Sequence, residues 1–177
     1  MSVRKIFLYI LIIISISFSC EKIRQLPPEP SIEFRQFTMF DTTDILGNPA
    51  RAGILKFYFE DGDGDLGLDP NNPDLTDTTN LFFTLFRKTE GNFSEVEEDD
   101  ILYPSEYRIP LMERTGQNQI LQGTIDITFI YIFYNPEDTI MYDFYIVDRA
   151  GNLSNTATTC EIPFTMDGPC IISEEDE

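Results

Sequence analysis

The sequence predicts an all-β fold, an antiparallel sandwich of about seven strands. Apolar side chains recur at every second position in run after run, and turn-forming clusters separate those runs at fairly regular intervals. Beyond the first twenty residues, no segment carries a helical period.

The runs are taken in order. An opening strand covers SIEFRQFTMF (Ser31–Phe40). GILKFYFE (Gly53–Glu60) alternates Leu55, Phe57 and Phe59 against Lys56, Tyr58 and Glu60. NLFFTLFRK (Asn80–Lys88) sets Leu81, Phe83 and Leu85 opposite Phe82, Thr84 and Phe86. The longest run, ILQGTIDITFIYIFY (Ile120–Tyr134), places Leu121, Ile125, Ile127 and Phe129 against Gln122, Thr124, Asp126 and Thr128. TIMYDFYIVD (Thr139–Asp148) lines up Ile140, Tyr142, Phe144 and Ile146, and NTATTCEIPF (Asn155–Phe164) closes the set. β-Branched and aromatic residues on a period of two fit half-buried strands. LGNPARAG (Leu46–Gly53), TEGN (Thr89–Asn92), RTGQN (Arg114–Asn118), YNPED (Tyr134–Asp138) and RAGN (Arg149–Asn152) supply the turns.

One stretch narrows the fold. NPEDTIMYDFYIVDRAGNLSN (Asn135–Asn155) resembles the end of a fibronectin type III or related immunoglobulin-like domain. The resemblance implies an immunoglobulin-like β-sandwich in which Tyr142 is the corner tyrosine, its ring in the core and its hydroxyl bonded to nearby backbone. The chain has no tryptophan, so phenylalanine and isoleucine must build that core.

The two ends read differently. Arg4 and Lys5 precede the apolar run Ile6–Ile14, and small residues lead from there to Cys20. This order describes a signal peptide over residues 1–19, because the apolar run is too short for a membrane span. SFSC (Phe18 and Ser17 preceding Ser19-Cys20) resembles the lipobox of bacterial lipoproteins, in a serine-rich form similar to that of Bacteroidota. The resemblance implies that Cys20 is lipidated with palmitate-type acyl chains, which together hold a protein at a membrane. Glu21–Pro30 then forms a proline-stiffened tether, residues 31–172 the domain, and 173–177 an acidic, solvated tail. With Cys20 acylated, Cys160 and Cys170 remain as an even pair; a disulfide between them contributes about 2–3 kcal/mol on the loop-entropy model.

FEDGDGDLGLD (59–69) places Asp61, Asp63 and Asp65 on alternate positions with glycine between them. Calcium takes six to eight oxygens, often carboxylates spaced this way, and Gly62 and Gly64 let the backbone wrap an ion. The loop departs from an EF-hand: Leu66 stands at the glycine position, Asn72 at the bidentate glutamate position, and a strand precedes it. In an immunoglobulin-like sandwich the B–C and F–G loops share one end. With Gly53–Glu60 as strand B and Asn80–Lys88 as strand C, Asp148 and Asn152 join the aspartate trio as candidate ligands, and Asp69, Asp74 and Asp77 lie further along the same loop. Two alternatives stand beside calcium: a solvated acidic turn, or neutralisation of the cluster by Arg149. FxDGDGDxG followed by DRAGNxS is also similar to small Bacteroidota lipoproteins.

The mature chain from Cys20 holds ten basic against thirty-one acidic residues, a net charge of −21 that repels nucleic acid and anionic head groups. The chain has no histidine, so the usual general base, Ser-His and Cys-His pairs and common zinc ligands are missing. The expected role is therefore non-enzymatic: a calcium-stabilised structural or protein-interaction subunit, lipid-anchored at the outer membrane, with its periplasmic side favoured and the cell surface as the alternative. The alternative is a glycan- or peptide-binding module using Tyr58, Phe82, Phe86, Tyr131 and Tyr145, unless these line a second buried face. Asp41–Thr43, Asp77–Thr79 and Asp138–Ile140 are similar to O-glycosylation sites of Bacteroidota.

Overall fold

A computed structural model describes residues 26–69, 79–104, 107–112 and 119–171. The signal segment, Cys20, the first half of the tether, Asp74, Asp77 and the tail from Ser173 lie outside the described residues. Nine strands follow one another: β1 (Ser31–Thr43), β2 (Pro49–Asp61), β3 (Leu81–Thr89), β4 (Asn92–Glu95), β5 (Leu121–Tyr131), β6 (Thr139–Ile146), β7 (Ala157–Thr158), β8 (Ile162–Pro163) and β9 (Gly168–Cys170). There is no helix among the described residues.

All strand pairings are antiparallel, and they make two sheets. One runs β5-β2-β1-β9; the other runs β4-β3-β6-β7, with β8 also on β6. The chain crosses between the sheets from β2 to β3, β4 to β5, β5 to β6 and β8 to β9, giving the immunoglobulin-like sandwich that the resemblance implies.

The anticipated strands are all present, and the differences have local causes. Residues 49–53 belong to β2, because the reversal is completed earlier, where the Asp44 carboxylate accepts hydrogen bonds from the Leu46 and Asn48 amides. Pro49 takes the first position of the strand, where a missing N–H is tolerated. β4 is a polar run without usable alternation; the two-residue turn Glu90-Gly91, both at positive φ, folds it onto β3. The closing run divides into β7 and β8, with Thr159 still bonded to the backbone of Tyr142 between them. β9 contains Gly168 and Pro169 and reads as loop, yet it pairs with Phe37–Met39 of β1. A Cys160–Cys170 disulfide, with Cα atoms 6.4 Å apart, ties β9 to the chain that follows β7.

The core lies between the sheets. Leu55, Phe57 and Phe59 of β2 face Leu81, Phe83, Leu85, Tyr142 and Phe144 of the second sheet. Phe129 is the hub of the aromatic packing, with Phe37, Phe83, Tyr107, Tyr131 and Tyr142 all within 6.3 Å between centroids. Tyr142 is buried as expected, but its hydroxyl meets the Tyr131 hydroxyl at 3.1 Å. A side-chain partner therefore replaces the expected backbone one. Arg51, almost fully buried, bonds Asp41 at 2.6 Å and the Met166 carbonyl, holding the β8–β9 connection against the first sheet.

The five aromatics proposed as a binding platform do not share a surface. Tyr131 lies in the core, Tyr58 beneath Arg35 on the outer face of the first sheet, and Phe82, Phe86 and Tyr145 on the outer face of the second. Tyr131 falls inside because it continues the inward row of Ile127 and Phe129.

Removing one partner of a buried hydroxyl pair leaves the other unsatisfied. Tyr142→Phe should therefore cost about 1–2 kcal/mol in urea denaturation, and Tyr131→Phe/Tyr142→Phe less than the sum of the two single changes.

Candidate metal centre

The alternation of β2 decides where the site sits. Leu55, Phe57 and Phe59 point into the core, and Asp61 is next in the same row. Asp61 is fully buried. A buried carboxylate must find donors, and the chain supplies them by folding back. Oδ1 accepts from the Gly64 amide at 3.2 Å and Oδ2 from the Leu66 amide at 2.7 Å.

This reversal carries Leu66 and Leu68 into the core. Leu68 then pairs with the segment around Pro110: its amide donates to Ile109 O at 3.0 Å and its carbonyl accepts from Leu111 at 3.1 Å. Two glycines permit the packing. A Cβ on Gly67 (φ +94) would lie 2.3 Å from the Pro110 carbonyl oxygen, and one on Gly62 would lie 2.1 Å from that of Pro27. The second contact shows that the end of the tether crosses the acidic loop.

Within this turn, oxygens of Asp61, Asp63 and Asp65 lie within 4.8 Å of one another. Asp65 reaches the β6–β7 loop, where the Ala150 amide donates to it, while its Oδ1 is buried with no hydrogen-bond partner among the described residues. The two loops expected to meet do meet. Arg149 Nη1 donates to Gly67 O at 2.9 Å, adding a second bridge between them.

Asp148 and Asn152 lie in the same place but engage each other. The Asn152 amide and Nδ2 each donate to one Asp148 oxygen at 2.8 Å. Asp148 is almost fully buried and acts on the trio through its charge, raising the pKa of Asp65. Asp69 is half-buried at the rim. Arg149, the expected rival to a cation, does pull Asp65 downward, but one guanidinium stands among four carboxylates.

The electrostatics record the crowding. Burial raises the Asp61 pKa above its ordinary 3.8, with further upward effects from Asp63 and a downward one from the Leu66 amide. Burial likewise raises Asp65, followed by the charges of Asp148 and Asp63. Each is therefore a poorer anion in the folded chain than in the unfolded one. What the two contribute to stability is complete below the ordinary carboxylate pKa and is lost as pH rises through the raised values.

Sequence reasoning missed Asn80, whose burial has no periodic signal. Its Oδ1 accepts from the Ile109 amide at 2.7 Å and its carbonyl from the Val147 amide at 3.0 Å, so it ties both loops to the 107–111 segment. Its place immediately before a strand, among turn-forming residues, is the only hint available.

The donor set fits a hard divalent cation. Among the described residues every available ligand is an oxygen, which favours calcium or magnesium over zinc. The bonded Asp61 oxygens keep lone pairs for a further contact.

No protein-family model, curated protein or solved structure matches the chain.

In buffer free of divalent ions, Asp65→Asn should gain stability relative to the unaltered chain as pH rises through the raised pKa of Asp65, with the two closest below it. Thermal melting across that pH range checks the sign.

Proposed function

We propose that the chain is a membrane-anchored lipoprotein whose sandwich is stabilised by calcium in the acidic loop, serving as a structural or protein-interaction subunit at the outer membrane. The observation that carries the calcium reading is the convergence of Asp61, Asp63 and Asp65 within 4.8 Å, with Asp148 adding negative charge and Arg149 the opposing cation. Bound there, the ion supplies counter-charge and cross-links the loop; the chain's own residues hold the cage in register. Asp61 fixes the turn, Asp63 and Asp65 offer oxygens, and the Asp148–Asn152 pair braces the neighbouring loop. No catalytic step belongs to this reading.

Anchoring is supported by Ser17–Cys20 and by the path of the tether. Leu26 and Pro27 lie over Gly62, so the chain leaves the domain toward Cys20 at the acidic end. At most five residues separate Cys20 from that contact, about 20 Å of extended chain. The acidic end therefore faces the membrane in this reading, and the periplasmic side of the outer membrane is the proposed location.

Calorimetric titration with calcium tests the ion. With a Kd of about 0.1 mM, about 10 mM calcium should stabilise the chain by roughly 2.7 kcal/mol against chelator. Asp63→Asn/Asp65→Asn should abolish that shift while leaving the chelated form at least as stable, because repulsion has been removed. A melting point unmoved by millimolar calcium would reduce the loop to a self-bonded acidic turn. Anchoring is tested separately: labelled palmitate should enter the unaltered chain in its host and be lost in Cys20→Ala.

A further inference from the structure

The two sheets present four edges, and three of them end in short strands. β4 has four residues and runs into Glu95, Glu97, Glu98 and Asp99. β7 and β8 have two residues each, the second ending in Pro163. β9 has three residues with Pro169 in the middle and covers Phe37–Met39 of β1, while Asn155 takes up the amide and carbonyl of Ile32 further along that strand. Short strands, prolines and like charges are the usual means of keeping other chains off a sheet edge.

β5 has none of these. It runs for eleven residues, pairs along its whole length with β2, and has no other partner among the described residues. It contains no proline, and its one charge, Asp126, is met by Lys56 at 3.7 Å.

A second observation lies on its inner face. Ile125 and Ile127 point toward the core yet stay partly exposed, whereas Leu55 and Phe57 beside them on β2 are fully buried. Core-facing aliphatics stay open in this way where the sheet stops one strand early. Ile130, 59% exposed, continues the apolar surface on the outer face, followed by Phe133 at 67%.

We propose that β5 pairs antiparallel with β5 of a second copy of this chain, joining two first sheets into one. Charge selects this edge for self-association. A chain of net charge −19 repels its own copies over most of its surface, while β5 presents a neutralised stretch with its backbone groups open. Two identical strands related by a two-fold axis use up both β5 edges, and at the opposite edge of each sheet β9 is short and carries a proline. The assembly therefore stops at a dimer.

The test is cysteine cross-linking of the full chain in its host membranes. Thr124→Cys, Thr128→Cys and Ile130→Cys place thiols on the exposed outer face of β5. Ile45→Cys, fully exposed on the β1–β2 turn, is the control, and the unaltered chain sets the background for native thiols. With a short bis-maleimide, at least one β5 position should yield a product containing only this chain at twice its mass, at least ten times the yield from Ile45→Cys. Several-fold loss of the Thr128→Cys and Ile130→Cys products when Gln122→Glu and Thr124→Glu are added would support the edge, since both strands then carry added like charges. The absence of a product at all three β5 positions overturns the proposal. So does equal yield from Ile45→Cys, or a β5 product whose second component is another protein.

Discussion

The Asp61 carboxylate, buried at the mouth of the sandwich, is the constraint on which the acidic end depends. Burying an unpaired carboxylate costs several kcal/mol, so the chain after β2 must return amide donors to it. Gly64 and Leu66 do so at 3.2 and 2.7 Å. That return fixes everything downstream: Leu66 and Leu68 become core residues, Leu68 binds the segment around Pro110, and Gly67 presents its carbonyl to Arg149. A loop that looks like a string of repelling charges is thus an organised turn around one of them.

The same organisation creates an imbalance. Once Asp61 has set the turn, oxygens of Asp63 and Asp65 lie within 4.8 Å of it, and Asp148 arrives from the β6–β7 loop held by Asn152. Hydrogen bonds satisfy much of the group, but they do not cancel its charge, and Arg149 offsets only part. In the proposed function, a divalent ion would remove the residual repulsion at a point where the end of the tether also meets the domain. On that proposal, stability of the loop and orientation of the domain on its anchor would share one site.

Much of the fold was legible in particular residues. The rows Leu55-Phe57-Phe59, Leu81-Phe83-Leu85 and Tyr142-Phe144-Ile146 gave strands and their inward faces directly, since period-two burial depends only on local sequence. The meeting of the acidic loop with Arg149 and Ala150 followed from topology. What stayed hidden rests on distant partners. β4 and β9 lack alternation and exist because a turn and a disulfide bring them to β3 and β1. Tyr142 takes Tyr131 rather than backbone because the inward row of β5 carries a hydroxyl to it. Asp148 and Asn152 bond each other because four residues of a tight loop bring amide and carboxylate together, a pairing that composition alone does not show.

Amide hydrogen exchange at Leu66 reads the Asp61 constraint most directly. In chelator, the Leu66 amide should be protected nearly as well as the core strands of β2, and Asp61→Ala should bring its exchange close to that of an open loop while β2 and β6 stay protected. Equal protection of Leu66 in Asp61→Ala would mean that the turn holds without the buried carboxylate, contrary to the order of causes given above.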